Sequence, residues 1–131
     1  MTADDRGTVL VIDDDADIRE SAVALFQSDG YSAVAANDGR AAFELLRTGA
    51  VRPSVIVLDL MMPVMDGWAF RAAQLCDQTL ASIPVIVVSA AGSSNVAAAA
   101  EAMRAVAGIA KPADGEELLR VVGAHCRATL H

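Results

Sequence analysis

The chain has 131 residues, of which 54% are hydrophobic; this is the usual length of one domain and enough apolar material for one packed core. A formal net charge of −7 and a pI near 4.6 argue against direct nucleic-acid or anionic-membrane partners, which such a surface repels. The opening MTADDRG is acidic where a secretory signal is basic, and no apolar run approaches the ~18 residues of a membrane span, so a cytoplasmic protein is expected.

Short β-rich runs alternate along the chain with segments of helical spacing. The first strand, Thr8–Ile12, leads to a helix whose Ile18, Ala22, Leu25 and Phe26 share one stripe and which Gly30 stops. The second strand, Tyr31–Ala35, is followed by Asp38 as a cap, an inward face of Ala42, Leu45 and Leu46, and Gly49 as a stop. After the third strand, Ser54–Leu58, Asp66 is placed to cap a helix with Phe70, Ala73 and Cys76 on its buried side. After the fourth, Pro84–Val88, a helix beginning near Ser93 and Ser94 is nearly all alanine, which predicts easy formation but a weak grip on the sheet. The fifth strand, Val106–Ala110, precedes Asp114 and Glu117 in capping-box spacing and an apolar row of Leu118, Val122 and Cys126. Cys76 and Cys126 are too few and too far apart for a disulfide framework and read as reduced thiols packed on helices.

Five strand-helix units with no linker or repeat predict one α/β domain over residues 1–131, a parallel sheet covered on both faces. All strands of such a sheet end at one edge, where ligands bind. The first strand runs into Asp13, Asp14 and Asp15, the third into Asp59, the fourth into Ser89, and the fifth into Lys111 followed by Pro112. Asp59 also interrupts VIVLDLMM, an otherwise apolar run. A carboxylate, hydroxyl or ammonium at four strand ends predicts one functional constellation.

The motifs VLVIDDDADIR, DLMMPVMDG, VIVVSA and AKPAD, taken together, resemble the receiver domain of two-component response regulators over essentially the whole chain. The resemblance implies a doubly wound, flavodoxin-like sheet of order 2-1-3-4-5. It implies that Asp59 takes a phosphoryl group in a Mg²⁺-dependent reaction from a sensor histidine kinase or a histidine phosphotransfer protein, and that a surface then switches toward a downstream protein target. Such a domain catalyses only its own phosphorylation and dephosphorylation. Asp14 and Asp59 would contact the metal directly, Asp13 mainly through water, and the backbone carbonyl of Met61 would add a further oxygen. Lys111 would pair with a phosphoryl oxygen, Ser89 would donate to another, and the Lys111–Pro112 bond would be cis.

Elementary chemistry agrees with those assignments. Three crowded carboxylates repel unless a cation neutralises them, and Mg²⁺ takes one or two carboxylates plus phosphate oxygens and water. A carboxylate held rigidly at the end of a buried strand has a fixed line of attack. The same residues admit two rival readings. Asp13-x-Asp15 after a strand imitates the nucleophile motif of a haloacid-dehalogenase-type phosphohydrolase, but the chain is short and lacks a cap. A flavin-binding domain would need a phosphate loop rich in Gly, Ser and Thr where three aspartates stand.

Other conspicuous residues read as structural. Trp68 is expected to pack at the start of the third helix, Met61, Met62 and Met65 to fill loop and core, and His125 and His131 lack any ligand or nucleophile spacing. Many receivers carry Tyr or Phe three residues before the lysine, where this chain has Gly108, so the usual inward swing of a ring has no counterpart. Met61 and Ala91 stand where family side chains help place an attacking water, and neither hydrogen-bonds water well.

Overall fold

A computed structural model describes residues 6–126; the N-terminal MTADD and His131 lie outside the described residues. Strands and helices alternate as β1 (Thr8–Ile12), α1 (Ala16–Ser28), β2 (Ser32–Ala36), α2 (Gly39–Arg47), β3 (Val55–Asp59), α3 (Gly67–Leu75), β4 (Val85–Ser89), α4 (Ser93–Ala102), β5 (Ala107–Ala110) and α5 (Gly115–His125). The strands pair in parallel in the order β2-β1-β3-β4-β5.

Four helices begin at an aspartate whose carboxylate accepts a first-turn amide: Asp15 from Ile18, Asp38 from Ala41, Asp66 from Ala69 and Asp114 from Glu117. Each cap satisfies an amide that the helix itself leaves free. α4 is the exception. It starts at Gly92, with φ of 93° and no side-chain cap.

Alternation along the strands sends successive side chains to opposite faces and makes two cores. Val9, Val11, Val55, Val57, Ile86 and Val88 pack under α1 and α5 with Phe26, Leu118 and Val122. Leu10, Ile12, Ile56, Leu58, Val85 and Val87 pack under the other three helices with Leu46, Phe70, Val96 and Met103. Each such side chain contributes roughly 1.5–3 kcal/mol over its exposed state, so β3 and β4, buried at every position, form a stiff centre.

β1 has the expected bounds, β2, β3 and β4 lie one residue later than expected, and β5 starts one residue later but ends where expected. Tyr31 donates its amide to Phe26 and belongs to the turn after α1, while Asp59 and Ser89 lie inside the ladder, opposite Val88 and Ala110. The buried side of α3 also differs from expectation: Phe70 is joined by Arg71 and Gln74, whereas Cys76 is exposed as the C-cap and Trp68 is nearly half exposed. The reason is that Arg71 and Gln74 find carbonyl partners inside the fold, so polarity does not turn them outward.

The alanine-rich α4 holds closer than its side chains suggest. Val96, Ala99, Ala100 and Met103 are buried, and a Cβ built on Gly108 would stand 3.0 Å from both Cγ1 and the carbonyl oxygen of Val96 and 3.1 Å from Cβ of Ala100. Small residues on the helix and a glycine on β5 are the two halves of one close approach.

Candidate functional site

β1, β3, β4 and β5 deliver the site residues to one sheet edge, as their sequence positions require. Asp13 follows β1 and is fixed from several sides. Its amide donates to the Ala36 carbonyl (3.2 Å), its Oδ1 accepts the Asp15 amide (2.9 Å), and its carbonyl accepts Nη1 of Arg19 (2.9 Å). Asp59, 4% exposed, closes β3, and its Oδ1 faces the Met61 amide at 3.4 Å. Lys111 follows β5 with its amide on the Ser89 carbonyl at 2.8 Å, and its Nζ lies 2.8 Å from Asp13 Oδ2 and 3.6 Å from Asp59 Oδ2. The Lys111–Pro112 peptide is cis.

Asp13, Asp14 and Asp59 each offer a carboxylate oxygen, and these oxygens lie within 4.8 Å of one another. Burial, with the neighbouring charges of Asp13 and Asp14, pushes the Asp59 carboxyl above its ordinary value, and Lys111 only partly offsets this. Burial alone would lower the Lys111 ammonium, but its bond to Asp13 and the charge of Asp59 hold it above the ordinary lysine value. One ammonium is thus shared by two of the three carboxylates, Asp13 and Asp59. An all-oxygen donor set, short of positive charge and open to water on the side of the exposed Asp14, suits a hard divalent ion such as Mg²⁺ and not a thiophilic one.

The hydroxyl of Ser89 is fully buried and makes no hydrogen bond among the described residues. A buried hydroxyl without a partner is unfavourable by about 1–3 kcal/mol, so it marks a place where an acceptor is wanted. A cleft of about 660 Å³ between α1 and α5, walled by Ile18, Leu25, Val57, Val88 and Leu118, opens onto Asp13, Asp59 and Lys111.

Three supports escaped the sequence reading. Arg19 follows the acidic run by one helical turn and grips the Asp13 backbone, a role that only its spacing could have hinted at. Gly67 donates to the Leu60 carbonyl (3.0 Å), and a Cβ there would fall 2.5 Å from the Asp59 carbonyl oxygen, so α3 begins directly against the backbone of the acidic strand. Val64 sits in the loop between them at φ of 69°, a left-handed conformation unfavourable for a β-branched residue. Met61 and Val64 expose their side chains there, so Met61 serves the site with its backbone and not as core filler.

A profile of the response regulator receiver domain matches residues 9–123. The chain belongs to that family. Among curated relatives, Response regulator MprA of Mycolicibacterium vanbaalenii is 36% identical over 92% of this chain and that of Mycobacterium leprae 35% over 92%; the chain spans about half their length, 51% in each case. Among solved structures, the receiver domain of Francisella response regulator 1452 has 31% identity and a TM-score of 0.80, covering 90% of this chain and 94% of that one. The Vibrio cholerae chemotaxis protein CheY4 has 30% identity and a TM-score of 0.79, covering 90% and 97%. The receiver fold and strand order expected from the motifs are therefore those observed. The dehalogenase-type alternative has no support, and its second aspartate is otherwise engaged: Asp15 is the N-cap of α1. Among the described residues of this receiver domain no helix is long and apolar enough to cross a membrane.

Proposed function

We propose that this receiver domain, acting in the cytoplasm, accepts a phosphoryl group on Asp59 from the phosphohistidine of a sensor histidine kinase or histidine phosphotransfer protein and switches a surface toward a protein target. The carrying observation is the unpartnered, buried hydroxyl of Ser89 beside a nucleophile and an ammonium. An Asp59 carboxylate oxygen attacks phosphorus in line, the P–N bond breaks, and the imidazole leaves with that electron pair. Lys111 pairs with one phosphoryl oxygen, exchanging its contact with Asp13, and Ser89 donates to another. Asp13, Asp14, Asp59 and the Met61 carbonyl would hold Mg²⁺, which when bound offsets charge on the transferring oxygens. The site is built for one self-limited transfer, and turnover of a separate substrate forms no part of this reading. Met61 and Ala91, both exposed and unable to position water, favour a long-lived phosphoryl group.

The test is mass spectrometry after incubation with acetyl phosphate and Mg²⁺. One phosphoryl group is gained, and chelation or Asp59→Asn abolishes the gain. Equal uptake by Asp59→Asn means that the acceptor is another residue.

A further inference from the structure

The phosphoryl site leaves one buried charge unused. Arg71, on the inner side of α3, is 5% exposed, and no carboxylate among the described residues pairs with it. Its donors go instead to three neutral oxygens: Nε to the Met103 carbonyl (3.0 Å), Nη2 to the Arg104 carbonyl (2.9 Å) and Nη1 to Oε1 of Gln74 (2.7 Å). Gln74 is itself fully buried, and its Nε2 donates onward to the carbonyls of Leu80 (2.9 Å) and Ile83 (3.1 Å), in the segment leading to β4.

Two of Arg71's three acceptors end α4. Met103 is the C-cap, Arg104 takes the left-handed conformation at φ of 59°, and the amides of Arg104 and Ala105 fold back onto the carbonyls of Glu101 (3.1 Å) and Ala100 (2.8 Å). That is a Schellman turn. A guanidinium at the negative end of the helix dipole adds electrostatic attraction to the two hydrogen bonds.

The other end of α4 has no comparable attachment. Its cap, Gly92, has no side chain, residues from Ala90 to Asn95 are exposed, and the Asn95 side chain bonds only the nearby Ala91 carbonyl (2.9 Å). This free end is also the one that leaves Ser89, the hydroxyl of the phosphoryl site. α3, in turn, starts against Asp59 through Gly67 and reaches Arg71 one helical turn later.

We infer that Arg71 and Gln74 form a fixed pivot under the C-terminal end of α4, so that phosphorylation displaces only the segment from Ala90 to Ala98. The inference rests on the phosphoacceptor reading above. It divides α4 into a moving half, whose exposed residues become the switched surface, and a half held to α3 and to the start of β4. Just beyond the moving half, Ala100 seats on β5 with its Cβ 3.1 Å from a Cβ built on Gly108, so the held half has no room to approach the strand further.

Amide hydrogen exchange on the full chain tests this, with and without beryllofluoride and Mg²⁺. The wild type changes exchange across Ala90–Ala98, while the amides of Met103, Arg104 and Ala105 stay within about twofold. In Arg71→Met those three amides exchange at least tenfold faster without any ligand, and the ligand-induced change spreads to them. Wild-type changes as large at Met103–Ala105 as at Ala90–Ala98 overturn the pivot, and so do unaltered rates in Arg71→Met. Should Arg71→Met not fold, the wild-type pattern decides. A wild type that shows no ligand-induced change anywhere refutes the phosphoacceptor reading and the motion with it, whereas the ligand-free rates of the variant still report on the clamp alone.

Discussion

Lys111 and Arg71 are both cations withdrawn from water, but the oxygens around them are of different kinds. Lys111 has carboxylates, Asp13 at 2.8 Å and Asp59 at 3.6 Å, which carry charge of their own and can be claimed by another cation or by a phosphoryl group. Arg71 has carbonyl and amide oxygens that belong to the backbone and to Gln74, and none of them carries a charge of its own. Burial pushes the Arg71 guanidinium below its ordinary value, with a smaller contribution from the charge of Arg104. A buried cation satisfied by carboxylates can change partners; one satisfied by carbonyls is part of the frame. The domain places the first at the edge where chemistry is expected and the second beneath the helix beside it.

The widest separation between the two sites comes from truncating each cation. Arg71→Met leaves two carbonyls and a buried amide oxygen unpaired, which predicts a loss of about 3 kcal/mol or more in urea unfolding, unaffected by Mg²⁺. Lys111→Met leaves only acids together, so its loss, roughly 1–3 kcal/mol in chelator, is largely recovered when Mg²⁺ is added. Equal rescue of both variants by Mg²⁺ would erase the distinction.

A smaller effect, opposite in sign, is expected at Asp59. Because its pKa is raised in the folded state, the native protein binds that proton more tightly than the unfolded chain does. The resulting penalty is absent below the unfolded carboxylate value, grows as pH rises, and is complete above the folded value. Asp59→Asn should therefore stabilise the metal-free protein at neutral pH by about 1 kcal/mol, or roughly 3–6 °C in Tm. The gain disappears on acidification, and Mg²⁺ gives the wild type a gain with the same pH dependence. A Tm advantage of Asp59→Asn that persists in acid would show a packing effect instead.

Each region also holds one residue in the left-handed conformation, Val64 beside Asp59 and Arg104 beside Arg71. The β-branched side chain is the more strained. Val64→Asn is expected to gain about 0.5–1 kcal/mol, and Arg104→Gly less, since glycine also loses more backbone entropy on folding. Ser89→Ala removes the buried hydroxyl that has no partner among the described residues and should therefore stabilise the unphosphorylated protein by up to about 1 kcal/mol, while the phosphorylated form loses a hydrogen bond and accumulates less.

The sequence made the first region legible and left the second hidden. Asp13, Asp59, Ser89 and Lys111 stand at the ends of VLVI, VIVL, VIVV and GIA, runs whose burial is apparent from composition, so their meeting at one edge follows from parallel topology alone. Arg71 and Gln74 carry no such signal. Their letters suggest a solvated helix face, and the carbonyls that draw Arg71 inward come from 32 and 33 positions away. Cys76 misleads in the reverse sense, as an apolar letter on a helix that ends just before it could be covered. Val64 looks like core and is exposed, because side-chain chemistry does not announce a positive φ.

The contact at Gly108 bears on how such a chain can descend and diverge. With 3.0 Å between a built Cβ and the Val96 backbone, any side chain at this position requires the helix to give by a few tenths of an ångström. A larger residue on β5 here would meet Val96 and Ala100 together, so the three positions constrain one another. Sequence alignments of close relatives should therefore show these three positions covarying, with glycine kept wherever the helix side stays as it is here.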